Sequence, residues 1–329
     1  MPAATPNRTQ AFQEPGRAPG VPDVEIPTLL LILAVYPAWL AATYAYGRWP
    51  LWLVVPVTAV LLTLHSSLQH EILHGHPTRW RAVNRLLALP PLSLWLPYDR
   101  YHDQHLTHHI NDRLTDPYDD PESCYWDSQD WARLGAIRRG IVWLQQTLAG
   151  RVVIGPYWRI SRFLRAEIGA AIRGEGRQRA VWLQHVVLCI PVLAWVKLVC
   201  GIPLWLYVVA MVIPGNGILL IRSFAEHRAV PAMRERTALV ERSWLLGPLF
   251  LFNNLHALHH EEPLLPWYAY PARYRATRER LLAANGGLVY NTYFDVARRY
   301  LVRPHDVPEH PMGRIPRRQP ARPAAGPLA

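Results

Sequence analysis

Histidine is the residue type whose placement first suggests chemistry in this chain of 329 residues, 15 of them histidine. His70 and His74 stand four apart in His70-Glu71-Ile72-Leu73-His74, a spacing that puts both imidazoles on one face of a helix. His105, His108 and His109 form an H-x-x-H-H string, and His256, His259 and His260 form a second. On a helix such a string is a single imidazole stripe. Imidazole is the commonest metal ligand, and neither solubility nor packing selects that repeat. Zinc is satisfied by about four ligands, a catalytic zinc by about three from protein. The three boxes with His227 exceed one ion's needs and suit two ions of four or five ligands each. Taken alone, the first box also matches the H-E-x-x-H pattern of zinc proteases, with Glu71 as general base. That reading leaves the other six box histidines idle.

The boxes must be positioned by something, and the surrounding sequence is built of long apolar runs. Residues 26–46 carry no charge and are long enough to cross a ~30 Å hydrocarbon core. After the Gly47–Pro50 turn a second run starts at Leu51 and leaves the core near Gln69, so the first box projects just beyond the lipid. Residues 180–200 and 203–221 give a third and fourth span, the latter delivering His227. The segment 85–98 is apolar but short and holds Pro90, Pro91 and Pro97, which suits an interfacial or re-entrant course. Between Trp131 and Gly174 arginines alternate with large apolar residues. Ile160, Leu164 and Ile168 share a helical face from which Arg159, Arg162 and Arg165 are excluded, as in helices lying in the headgroup plane. Pro214-Gly215-Asn216-Gly217 is expected to kink the fourth span where a substrate chain could pass. His185, mid-span in the third, reads as a packing histidine. The expected fold is all-α and integral to the membrane, with about four transmembrane helices and a cytoplasmic helical cap carrying the boxes. The expected domains are a flexible tail at 1–25, a membrane domain at 26–300 and a disordered Pro/Arg-rich tail at 301–329.

Composition narrows the partners. The net charge is +11, but the basic residues flank apolar spans and match no nucleic-acid module, so nucleic acid is excluded. Only Arg48 and Lys197 fall at the far side of the spans. By the positive-inside rule both termini and every box face the cytoplasm, which suits a multi-pass protein of a bacterial inner membrane. The three cysteines, Cys124, Cys189 and Cys200, form no C-x-x-C, so there is neither a thiolate zinc site nor an iron–sulfur module.

With the boxes placed, the chain resembles the membrane fatty acid desaturase and hydroxylase superfamily. Its pattern of H-x-x-x-H, H-x-x-H-H and H-x-x-H-H is met by His70/His74, His105/His108/His109 and His256/His259/His260. The gaps match, as does the segment Pro263-Leu264-Leu265-Pro266-Trp267-Tyr268 after the last box. The resemblance spans residues 26–300. It implies a centre of two iron ions that activates O2 against a C–H bond of a lipid-like substrate, with His227 in Ala225-Glu226-His227-Arg228 as a ninth ligand. Some acyl-CoA desaturases hold an asparagine four residues before that histidine, where this chain has Ser223, so the substrate is left open. The expected reaction is desaturation of a fatty-acyl chain; the alternative is a lipid, alkane or carotenoid hydroxylase or ketolase. Glu71, Asp103, Asp112, Asp116, Glu226 and Glu261 are candidates to orient the ligand imidazoles, while His65, His76 and His102 fall near the boxes but outside the pattern. No cytochrome b5 signature, iron–sulfur cysteines or Rossmann glycines are present. Electrons are therefore expected from an external ferredoxin or rubredoxin, with its reductase, docking on the arginine-rich face.

Overall fold

The computed structural model describes residues 20–110, 113–174 and 176–313. The tail up to residue 19, Asp112 and the end of the chain from residue 314 lie outside the described residues. Helix α1 (Ile26–Tyr44) begins with Pro27, whose fixed φ and missing N–H suit the first turn. It runs into a turn at Gly47, where φ is +76°, and α2 (Leu51–Leu73) returns beside it. Then come α3 (Arg81–Ala88) and α4 (Tyr98–His108), followed by α5 (Ser128–Arg133), α6 (Ala136–Leu144), α7 (Leu148–Val153) and α8 (Gly155–Ile172). Helices α9 (Gly176–Val199) and α10 (Leu204–Glu226) complete a set of four, with α1 and α2, long and apolar enough to cross a membrane. The remainder is α11 (Leu246–Leu249), α12 (His256–Glu261), α13 (Tyr270–Ala284), α14 (Tyr293–Tyr300) and two parallel two-residue strands, β1 (Leu239–Val240) and β2 (Val289–Tyr290).

The spans are 19, 23, 24 and 23 residues long. At ~1.5 Å per residue each covers a ~30 Å core. Their outer faces are apolar: Leu33, Trp52, Leu183, Leu198 and Trp205 are all exposed, as lipid contact requires. One buried cluster, including Trp39, Leu62, Val196, Tyr207 and Met211, holds the four together. The segment after α3 does not cross. It dips among the spans, with Leu92 buried in that cluster, and its carbonyls are satisfied there. Tyr207 donates to the carbonyl of Leu92 at 2.8 Å, and His185 Nε2 to that of Leu94, also at 2.8 Å. Irregular backbone at membrane depth survives where protein groups complete its hydrogen bonds, and this is the work of His185.

The fourth span differs from expectation at its glycines. The irregularity lies before them, in a π-helical stretch at Tyr207–Val212, and regular α-helix resumes at Ile213 with Pro214 in its first turn. The glycines instead let backbones touch. A Cβ on Gly215 would sit 2.8 Å from the carbonyl oxygen of Ala59 on α2, and one on Gly217 would sit 2.7 Å from that of Val152 on α7. Thr63 closes the first contact by donating to the Gly215 carbonyl at 2.9 Å.

Helix α8 exposes Tyr157, Ile168 and Ile172 as well as Arg162 and Arg165, while Arg159 and the end of Arg162 line a cavity beside Trp158 and Phe163. The stretch 301–313, expected within a disordered tail, is hydrogen-bonded to the body where it is described. His305 N donates to Gln146 O at 2.7 Å, Trp126 and His310 pair with each other's neighbourhood through Trp126 N to Pro308 O and His310 N to Trp126 O, and Tyr125 donates to Asp306 at 2.7 Å.

Candidate metal centre

All nine histidines singled out in the sequence converge, at the ends of α2 and α10 that lie together. His70 is in the last turn of α2 and His74 caps it. His105 and His108 lie on α4 and His109 caps it; His256, His259 and His260 lie on α12. His227 follows directly on α10 in extended backbone, with φ −132° and ψ 142°.

The imidazoles fall into two sets. His70, His74, His105 and His259 can each place a nitrogen within 4.8 Å of the others, and so can His108, His227, His256 and His260. His109 joins the first set, its Nε2 lying 2.9 Å from that of His105 and 3.0 Å from that of His259. The division follows from helix geometry. Residues i and i+4 differ by about 40° around the axis, whereas i+3 lies on the other side of i. So His105 and His109 go to one set and His108 to the other. On α12 the roles reverse, with His256 and His260 in the second set and His259 in the first.

The hydrogen bonds test whether these residues fit a metal. His105 Nδ1 meets Glu122 Oε1 at 2.7 Å, and His108 Nδ1 meets Asp120 Oδ1 at 2.8 Å. His256 Nδ1 meets Asn253 Oδ1 at 3.1 Å, His259 Nδ1 meets the Tyr270 hydroxyl at 3.0 Å, and His227 Nδ1 faces the Arg236 carbonyl at 3.3 Å. With the N–H directed at these acceptors, each Nε2 presents a lone pair. Yet Nε2 atoms face one another: His227 is 3.0 Å from His108 and 2.9 Å from His256, and His105 is 3.1 Å from His74. Lone pairs at that distance repel, but two nitrogens bound to one ion at ~2.1 Å stand about 3 Å apart at a right angle. The donor set fits two metal ions.

Electrostatics agree. Burial, reinforced by neighbouring histidines, pushes His74, His109, His227, His256, His259 and His260 well below the usual histidine range. They are neutral imidazoles, the form that ligates. Burial would lower His108 too, but Asp120 and Glu122 outweigh it and push it up to about 9. A position that holds a cation so firmly suits a metal as well as a proton. Burial would raise Glu122, but the charges of His108 and His105 hold its carboxyl well below the usual range.

The expected orienting carboxylates fare unevenly. Glu226 does reach a box histidine, lying 3.2 Å from His256 Nδ1 while Arg222 Nε pairs with it at 2.9 Å. Asp103 pairs with Arg177 and Arg100, Glu261 with Arg280, and Asp116 accepts from the amides of Tyr118 and Asp119; none of the three touches a box histidine. Asp120, Glu122, Asn253 and Tyr270 were missed. The signal available was the acidic string Asp116-Pro117-Tyr118-Asp119-Asp120-Pro121-Glu122, which follows the second box closely enough to fold back on it. Asn253 matters doubly, because its amide group also lies 3.3 Å from His70 Nε2 and so touches both sets. It is held in a turn where Leu251 and Phe252 both take positive φ, 51° and 58°, a conformation that costs non-glycine residues and marks functional sites.

Glu71 joins neither histidine set; it groups instead with Glu25 and His76, their ligand atoms within 4.8 Å of one another. Its Oε1 accepts from the Trp267 amide at 2.8 Å and lies 3.7 Å from His76 Nε2; His76 Nδ1 in turn meets Glu25 Oε1 at 2.6 Å. Thr28 donates to Glu25, and the Trp267 indole donates to Thr28. This latch ties the start of α1 to the loop after the first box and to the Pro-Trp segment after the third. A zinc-protease reading needs Glu71 beside the metal as base, so it is overturned. His65 pairs with Tyr36 at 3.3 Å and His102 lies 3.6 Å from Asp103; neither enters a set.

A model of the fatty acid desaturase family matches residues 46–294, a stretch that holds all three boxes and His227. The chain belongs to the fatty acid desaturase family. A search of curated proteins found no match. Membership makes this desaturase-family protein a membrane oxidoreductase of the desaturase and hydroxylase type, and the two histidine sets are consistent with the iron-binding boxes of that family.

Proposed function

We propose that the protein is an O2-dependent, di-iron membrane enzyme that desaturates a fatty-acyl or lipid chain. The carrying observation is the pair of imidazole sets whose Nε2 lone pairs converge while their Nδ1 atoms are held by acceptors. Two iron ions, when bound, would supply the oxidising power to break an unactivated C–H bond. The chain's part is to fix each imidazole's tautomer through Glu122, Asp120, Asn253 and Tyr270, to keep the ligands neutral, and to hold substrate beside His227. In the overall reaction the substrate loses two hydrogens as a C=C bond forms. Those hydrogens, two electrons and two protons reduce O2 to two waters.

Oxygen insertion, as in a lipid, alkane or carotenoid hydroxylase or ketolase, is the second reading. It is favoured by the polar side chains Gln104, Gln145, Gln146 and Ser223 on the cavity that adjoins His227, which suit a hydroxylated product better than an alkene. The electron donor proposed is an acidic ferredoxin or rubredoxin. A second cavity of about 590 Å³ reaches His260 and is lined by Arg234 and Arg280, which suits such a partner. The distribution of arginines supports a reading in which both termini and the boxes face the cytoplasm, and the setting proposed is a bacterial inner membrane. Metal analysis of the purified protein tests the centre: two irons per chain are expected, and one zinc without iron would sink the proposal. Mass spectrometry of lipids from cells with and without the gene separates loss of two hydrogens from gain of oxygen.

A further inference from the structure

The cavity beside the metal centre has a volume of about 320 Å³ and touches His227, Glu226 and Glu122 on its metal side. Three arginines line it as well: Arg151 from α7, and Arg159 and Arg162 from α8. Arg151 is only 8% exposed. Its Nε donates to the Gln145 carbonyl, a second nitrogen lies against Cys124 Sγ, and its guanidinium sits over the Phe224 ring. Arg162 sits over the Trp126 ring at 5.4 Å. Among the described residues, none of the three has a carboxylate within 4.0 Å, whereas Arg85, Arg100, Arg177, Arg273 and Arg278 elsewhere all have one.

The cavity's own acids are engaged elsewhere, although Glu122 and Glu226 act on Arg159 through space. Asp120 is committed to His108, Glu122 to His105, and Glu226 to Arg222 and His256. A buried guanidinium with no carboxylate in contact, as at Arg151, is costly unless an anion completes it, and the planar forks of all three match carboxylate and phosphate oxygens. On α8, Arg159 is half-buried while Ile168 and Ile172 face outward, and Arg162 reaches the cavity from its exposed rim. Trp95, Trp158 and Phe163 give the wall an aromatic face beside its polar side chains. The volume lies at the small end of the ~300–1,000 Å³ range of small-molecule sites. A long acyl chain would have to leave the cavity.

We propose that this cavity binds a compact anionic amphiphile, its carboxylate or phosphate head on Arg151, Arg159 and Arg162 and its apolar body against the aromatic wall toward His227. Oxidation of that body rests on the reading above; the binding itself can be measured without turnover.

The test is calorimetric titration of the full chain in lipid nanodiscs with octanoate, octyl phosphate and octanamide. At least one anion should bind more tightly than the amide, and which one does so identifies the head. Arg159→Gln and Arg162→Gln should each weaken that anion on the order of tenfold while leaving octanamide unchanged. Arg151→Lys keeps the charge of the buried position but removes the fork, and should weaken the anion as well. Arg85→Gln, which breaks an exterior pair with Asp99, should have no effect. Equal binding of all three probes, or anion affinities untouched by the α8 variants, overturns the proposal. Anion binding without oxidation of any substrate would leave it standing and sink the oxidative reading. Oxidation of a neutral lipid with no anion binding would do the opposite.

Discussion

Asp120 and Glu122 hold the Nδ1 protons of His108 and His105, and so decide which nitrogen of each ring is free to bind. Partners of this kind typically contribute about 10–100-fold to metal affinity. Asp120→Asn and Glu122→Gln should each lower iron affinity by that factor without unfolding the chain, read by metal analysis against chelator concentration. Asn253→Leu should strike both sets, because that one amide touches His256 and His70. Iron content should fall from two per chain to below one. An unchanged iron content in all three variants would count against the assigned tautomers. Eight of the histidines were legible in the sequence because box spacing is a local property of helices, and His227 through its place after the fourth span and the family resemblance. Their partners were not, except Glu226, because whether an acidic loop residue meets a ring depends on the three-dimensional path of residues 113–126.

At the scale of elements, the four spans were readable because lipid demands long uninterrupted apolar helices, and length with hydropathy is visible in one dimension. The π-helical stretches at Trp195–Val199 and Tyr207–Val212 were not, since they answer to the packing of one span on another. The glycines of α10 were noticed but misread for the same reason: only the approach of α2 and α7 shows that they serve contact. Gly215→Ala should force the Ala59 carbonyl away and cost about 1–3 kcal/mol, lowering Tm in detergent. Gly47→Ala provides a contrast, since no atom lies within 4 Å of its Cβ position and only its positive φ resists. Its smaller loss, of the order of 1 kcal/mol, would separate backbone strain from steric exclusion.

For the molecule as a whole, the segment 301–313 acts as a strap across the loop that carries Asp120 and Glu122. His305 within it is pushed down to about 4, chiefly by burial, and hydrogen-bonds the Tyr290 hydroxyl at 2.8 Å. Its folded value lies below the unfolded one of about 6.5, so the unfolded form binds the extra proton. The strap's stability is therefore fully present above about pH 6.5 and falls as the pH drops toward 4. Limited proteolysis should cut near residue 305 progressively faster over that window, and His305→Gln should flatten the dependence. Turnover with an acidic electron donor should also fall steeply at high salt, as screening weakens its encounter with the arginine-rich face.

The latch of Glu25, His76 and Trp267 sets an order on how the chain is made. Glu25 precedes His76 by 51 positions, and Thr28 precedes its partner Trp267 by 239. During synthesis the first span must therefore enter the bilayer long before the residues that close over its leading end exist. A nascent chain arrested before Trp267 would hold both early boxes with the start of α1 tied to the loop after the first box but not yet to the Pro-Trp segment. The last box histidines, on α12, emerge just ahead of the residue that completes the latch, so the two histidine sets and the anchoring of the first helix reach completion almost together.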